Sequence, residues 1–290
     1  MASSPSSRSA ATRSRRAANG RGAPQDRRSA PGAARPQPPV TLHDETLQAL
    51  VGALDLRERE TAGHSHRVAL WTLLLAVVCD VDEAELAAIH AGALLHDVGK
   101  IAIPDPILLK AGRLDSREWR VMRTHPEIGR RLLARTRSLR GAAAIPWCHH
   151  ERFDGSGYPR GLSGRRIPLG ARLFAIVDVY DALRSSRPYK RAYSHERAIA
   201  LLQAEAGRHF DPELLARFIG LPRATLDRLA PVAKRARPYA QLRELVAVTC
   251  ASLVPPAQGK GAKLPLASSS PARRVRLTPR TRASRPRAGS

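Results

Sequence analysis

The chain has 290 residues, 43% of them hydrophobic, which is enough to bury a substantial core. Its formal net charge of +24 is concentrated at the ends: residues 1–40 hold eight Arg against one Asp, and residues 255–290 hold seven Arg and two Lys with no acid. Three cysteines without CxxC spacing (Cys79, Cys148, Cys250) exclude a disulfide framework and fit a reducing compartment.

The longest apolar run, Val68 to Cys79, falls short of the roughly 20 residues a membrane span needs. The Arg15-Arg16 pair is followed by no apolar stretch of an export signal. A cytoplasmic protein with no membrane span is expected. Both ends are rich in Arg, Pro, Ser, Gly and Ala, too poor in large apolar residues to offset their ordering entropy. Residues 1–40 and 255–290 are therefore expected to be disordered basic tails. They have no aromatic interleaving, so no nucleic-acid partner is expected.

From Thr41 the pattern is helical. Leu47, Leu50, Val51 and Leu54 recur at three- and four-residue spacing, and Gly63 to Val78 reads as a largely buried helix. Asp80 and Asp82 are candidate caps for a helix running through Leu86, Ile89 and Leu94 into His96-Asp97, which Gly99 breaks. Pro104 and Pro106 mark a connection, and Ser116 to Met122 begins another helix. Thr124 is a candidate cap for Pro126 to Leu133. Gly155 to Gly170, rich in Gly, Pro and Arg, reads as a long irregular loop. Leu169 to Leu183 returns to helix, Ser194 caps the next, Asp211-Pro212-Glu213 opens the last core helix, and Ala240 to Leu253 is amphipathic. No period-2 strands and no internal repeats are found. The fold class is all-α: a single helical-bundle domain over 41–222, a helical extension over 223–254, and the two tails.

Glu60 and His64 stand four apart and share a helix face. His96-Asp97 sits at a helix end, where successive side chains diverge, so Asp97 can bridge two ions while His96 binds one. Lys100 follows one turn on. His125, His149 and His150 add imidazoles, and Asp178 lies in the otherwise apolar run Leu173 to Val179, where a carboxylate needs a cation or donors. Taken singly, each of these has a plainer reading as a cap, a core polar group or a solvated charge. Their joint occurrence is the ligand set of a cluster of transition-metal ions.

These residues carry a family resemblance. Glu60-Thr61-Ala62-Gly63-His64-Ser65, His96-Asp97-Val98-Gly99-Lys100-Ile101, Thr124-His125-Pro126 and His149 through Pro159 resemble an HD-GYP domain, a branch of the HD metal-dependent phosphohydrolases. The match continues through Asp178-Val179-Tyr180-Asp181-Ala182-Leu183 and Arg187-Pro188-Tyr189-Lys190 to His209-Phe210-Asp211-Pro212. The resemblance implies an HD-type bundle and assigns His64, His96, Asp97, His125, His149, His150 and Asp178 as metal ligands. Glu60 matches the extra ligand of members that bind three metals, so two or three divalent ions, Fe or Mn, are expected. It places Arg187 and Lys190 at substrate phosphate, and Tyr158 on the loop that contacts substrate and partner. Arg184 departs from the family, which commonly carries Thr there.

The implied activity is hydrolysis of cyclic di-GMP to pGpG or GMP. Asp97 and Lys100 are the catalytic candidates, and Lys100, Tyr158, Arg187 and Lys190 bind substrate. Two other readings stand beside it: an HD hydrolase of another cyclic dinucleotide, or a non-catalytic module that docks a GGDEF diguanylate cyclase through the Gly-Tyr-Pro loop. Oligomeric state is left open.

Overall fold

The computed structural model describes residues 42–57, 63–186, 191–234 and 236–253. The expected tails, Glu60, Arg187 and Lys190 lie outside the described residues.

Among the described residues the protein is helical, and its sole β-type pairing is an isolated bridge between Ala206 and Phe210. Helix α1 (Leu42–Arg57) is followed by α2 (His64–Val78), and α2 is the centre of the fold. Its run Val68-Ala69-Leu70-Trp71-Thr72-Leu73-Leu74-Leu75-Ala76 is buried all round, as a helix apolar on every face requires. Against it pack α3 (Glu83–Leu94) and α8 (Leu169–Arg184), the latter through Leu173, Phe174, Ile176 and Val177. The C-terminal helices α11 (Arg223–Leu229) and α12 (Tyr239–Leu253) also pack on α2. Leu226, Leu229, Leu242 and Val246 join the same apolar cluster as Leu47 and Val51 of α1. Residues beyond 222 thus share the core of the bundle.

The remaining helices frame the site: α4 (Asp105–Leu108), α5 (Ser116–Met122), α6 (His125–Ala134), α7 (Ala144–Cys148), α9 (His195–Ala204) and α10 (Pro212–Ile219). Several expected caps are realised. Ser194 Oγ accepts from Arg197 N, and Asp211 accepts from Glu213 N and Leu214 N.

Others are corrected. Asp82 occupies the N-cap position of α3 without a side-chain hydrogen bond, and Asp80 instead takes a left-handed turn at φ 55°. Thr124 Oγ1 bonds back to the Val121 carbonyl rather than capping α6. Helix α5, for which sequence reasoning gave no cap, is capped by Asp115, which forms a reciprocal capping box with Glu118. Gly99 does not break α3, which has already ended at Leu94; it sits in the 3-10 turn Val98–Ala102. A Cβ there would collide with the His125 carbonyl and lie 2.6 Å from Gly129 N, so glycine lets this turn press against α6. The short helices α7 and α11 have no sequence signal long enough to register as periodic.

A buried imidazole ties the ends of the domain together and gives a stability prediction. His90 on α3 is 4% exposed, faces Tyr239 of α12 at 5.4 Å between ring centres, and lies near Asp44, whose carboxylate accepts from Tyr239 N. Burial pushes the His90 imidazole down to about 4; His66 adds to the depression and Asp44 opposes it. The unfolded chain therefore binds more protons than the native one between about 4 and the ordinary value near 6.5. The contribution from a neutral His90 is fully present above that window and is lost as pH falls through it. A denaturant midpoint that declines from pH 7 to pH 5 is expected. A midpoint flat across that range would refute a neutral, buried His90.

Candidate metal centre and active site

The side chains assigned by motif converge where the starts of α2 and α6, the turn after α3, the end of α7 and the middle of α8 meet. Two groups of donors form there. One comprises Asp97, His125, His149 and His150; the other comprises His64, His96 and Asp178. Within each, the donor atoms lie within 4.8 Å of one another.

Local structure orients the imidazoles. Nδ1 of His96 donates to the Ala93 carbonyl at 3.0 Å, Nδ1 of His125 to Met122 at 2.8 Å, and Nδ1 of His149 to Pro146 at 3.0 Å. All three bonds reach back three residues to a carbonyl that helix geometry leaves accessible. An acceptor on Nδ1 requires the proton there, so each ring presents Nε2 as a lone pair to the centre. His64 reaches the same result differently: Nδ1 donates to Asp181 Oδ2 at 2.7 Å, leaving Nε2 3.4 Å from Asp178 Oδ1.

Asp97, a member of the first group, also reaches His96 of the second. Oδ2 is 3.0 Å from His96 Nε2 and 2.7 Å from Lys100 Nζ, while Oδ1 is 3.3 Å from His125 Nε2 and 3.6 Å from His149 Nε2. Oδ1 is buried and makes no hydrogen bond with either imidazole. Burial acts to raise the Asp97 carboxyl, but Lys100 and His96 beside it outweigh that and hold it well below the carboxylate range. Burial also pushes His125 down to about 4, and burial with the neighbouring His149 and His125 keeps His150 well below its ordinary value. Those imidazoles are neutral at physiological pH. Neutral imidazoles, ionised carboxylates and a buried carboxylate oxygen without a donor fit a divalent transition metal.

Around this centre stand residues for which sequence reasoning gave no role. Asp181 is 1% exposed and accepts from Arg67 Nε at 2.7 Å and from a terminal Arg67 nitrogen at 2.8 Å, as well as from His64. Burial alone would raise it; His64 and Arg67 keep it ionised. Glu151, 2% exposed, accepts from the backbone N of Arg160 at 2.8 Å and of Leu162 at 3.0 Å, pinning the Gly-Tyr-Pro loop. Gly157 passes so close that a Cβ would lie 2.5 Å from Glu151 Cα. Tyr158 stacks on His150, with ring centres 4.6 Å apart and 23° between planes. Arg57, at the end of α1, donates to the carbonyls of Lys100, Ile101 and Ile103 and to Asp105, fixing the turn that bears Lys100. Arg184, the departure from the family pattern, donates to the Tyr193 carbonyl at 3.0 Å and pairs with Asp227 at 3.6 Å. Acidic residues in apolar runs were a usable signal for Asp181; nothing in the sequence marks Arg57 or Arg67.

An all-helical bundle with clustered His and Asp at its centre defines a candidate metal-binding domain. The chain belongs to the HD domain family, which residues 48–214 match. It is 47% identical over 170 residues to the cyclic di-GMP phosphodiesterase response regulator RpfG of Xanthomonas campestris, covering 58% of this chain and 45% of that protein. It is 44% identical over 173 residues to 3'3'-cGAMP-specific phosphodiesterase 2 of Vibrio cholerae, covering 59% of this chain and 33% of that one. The chain thus spans less than half the length of either relative. A solved cyclic GMP-AMP specific phosphodiesterase of V. cholerae shares the fold, with a TM-score of 0.53 at 19% identity over 72% of this chain and 59% of the other. No helix among the described residues is long and apolar enough to cross a membrane.

Proposed function

We propose that this chain is a metal-dependent phosphodiesterase that hydrolyses cyclic di-GMP to pGpG or GMP. The observation that carries the reading is Asp97, a member of one donor group that also reaches His96 of the other, with the Lys100 ammonium 2.7 Å from its carboxylate. His64, His96, Asp97, His125, His149, His150 and Asp178 would hold divalent ions, Fe or Mn, and Glu60 a third. Ions bound there would supply water activation near neutral pH and neutralise charge on the phosphoryl oxygens.

The chain's own residues do the rest. The Nδ1 bonds keep each Nε2 aimed inward, and Arg67 through Asp181 does the same for His64. Lys100 Nζ donates to a phosphate oxygen, or yields its proton to the departing ribose oxygen. Tyr158, locked on His150, walls the site, and Arg187 and Lys190 hold the second phosphate. The resemblance also supports the Gly-Tyr-Pro loop as a docking point for a GGDEF diguanylate cyclase, and three cysteines without disulfide spacing support a cytoplasmic location. The helical pattern of the sequence supports a phosphohydrolase unit over 41–222, with 223–254 as a helical extension.

Similarity to a 3'3'-cGAMP-specific enzyme favours one rival substrate. The deciding assay supplies purified protein with Mn or Fe(II) and offers cyclic di-GMP and 3'3'-cGAMP in parallel. Release of pGpG or GMP from cyclic di-GMP at the higher kcat/KM is expected; exclusive turnover of 3'3'-cGAMP would replace the substrate, and no turnover of either would sink the reading. Elemental analysis of the same anaerobic preparation should give one ion fewer for Glu60→Ala than for the parent. Equal ion counts would make Glu60 an ordinary helix-face acid.

A further inference from the structure

The metal ligands and phosphate-binding cations leave the bases of a dinucleotide unread. A chain of ring contacts leads from the metal centre: His150 lies against Tyr158, and the Arg123 guanidinium lies over the Tyr158 ring, 5.0 Å from its centre. The same guanidinium is 5.8 Å from the ring centre of Trp119, one helical turn earlier on α5. Both separations fall within the roughly 6 Å range over which an aromatic face attracts a cation. Tyr158 has Arg123, Asp97 and Lys100 as its charged neighbours, so these contacts stand at the rim of the reaction centre.

Two properties of this Arg bear on what it could hold. Its guanidinium makes no hydrogen bond and no ion pair with any described residue, as is also true of Arg117 and Arg120 on α5, but of the three Arg123 alone lies over aromatic rings. It lies over two aromatic rings, a kind of contact that leaves the N–H edge of the fork free to donate. Trp119 is also 45% exposed, leaving an indole surface open beside it. A planar cation with free donors next to an open aromatic face suits a purine base, with bidentate donation to N7 and O6 of guanine. Adenine places a donor amino group where guanine has O6, and would meet that fork with a mismatch.

We propose that Arg123 is a specificity-determining residue that donates to N7 and O6 of one guanine of the substrate, with its guanidinium lying over Trp119 and Tyr158. The inference rests on the cyclic di-GMP reading above. It is testable separately, because it concerns single atoms of the base rather than the phosphodiester.

The experiment is a two-by-two comparison on the full, metal-loaded chain: parent and Arg123→Ala, each with cyclic di-GMP and with its 7-deazaguanine analogue, which lacks N7. The parent should lose at least about tenfold in kcat/KM on the analogue, as expected for breaking a bidentate base contact. Arg123→Ala should lose at least about tenfold on cyclic di-GMP and show almost no further loss on the analogue, since the partner of N7 is already gone. Arg123 is exposed and has no hydrogen-bonded partner to strand, so the variant should fold, which circular dichroism checks. Arg123→Lys, which keeps donors, serves as the conservative variant and should recover part of the N7 sensitivity. Equal sensitivity of parent and Arg123→Ala to the analogue would overturn the proposal and leave Arg123 a phosphate contact or a structural one. So would a loss below about twofold on cyclic di-GMP. A parent inactive on cyclic di-GMP, yet active on another phosphodiester, would overturn the substrate reading itself and this inference with it.

Discussion

Asp97→Ala is expected to abolish phosphodiesterase turnover and remove most of the bound metal, while the helical fold persists. The carboxylate approaches His96 and Lys100 through one oxygen and His125 and His149 through the other. No water or neutral side chain supplies two anionic oxygens at once, so the first donor group loses its only carboxylate and its contact with His96 of the second. The loss also leaves Lys100 beside a set of imidazoles without the charge that now opposes it, further disfavouring cation binding. Elemental analysis should show the metal loss independently of the rate, and circular dichroism the retained helices. Activity retained within about tenfold, roughly 1.4 kcal/mol of barrier, would contradict the bridging assignment.

The pair Arg187→Ala with Lys190→Ala is expected to weaken cyclic di-GMP turnover severely while leaving the metal content intact. Neither residue matches a metal ligand in the HD-GYP motif set. The segment that carries them is bracketed by Leu183 and Tyr193, which are hydrogen bonded to each other, with Tyr193 N donating to the Leu183 carbonyl at 2.9 Å. Leu183 lies in the last turn of α8, the helix of Asp178 and Asp181. Arg offers a planar fork and Lys a mobile point charge, a pair suited to a dinucleotide's second phosphate. A small phosphodiester such as bis(p-nitrophenyl) phosphate has no second phosphate, so its hydrolysis should fall far less. Equal losses on the two substrates, or loss on neither, would remove these residues as the source of dinucleotide preference.

The extent to which the site was legible in one dimension follows from what each part depends on. His96-Asp97 and His149-His150 are adjacent in sequence, and their donor chemistry is a property of residue type, so the metal-competent set could be read directly. The helices α5, α8 and α10 were legible because apolar periodicity and capping residues are local. The same locality misled at Asp80, Thr124 and Gly99, where a residue suited to a cap or break serves a turn or a close approach instead.

What only the tertiary structure decided is how those donors are held. His64 is oriented by Asp181, 117 residues away, and Asp181 by Arg67 in turn. The carbonyls around Lys100 are gathered by Arg57 from 43 to 46 residues earlier. Glu151 anchors backbone amides of the loop beyond Tyr158. A charge or amide bond across helices has no periodic signature, because it depends on which faces the apolar core brings together. Residue type and local spacing therefore determined the chemistry this chain can hold, and the packing of α2 against α3 and α8 determined where that chemistry converges.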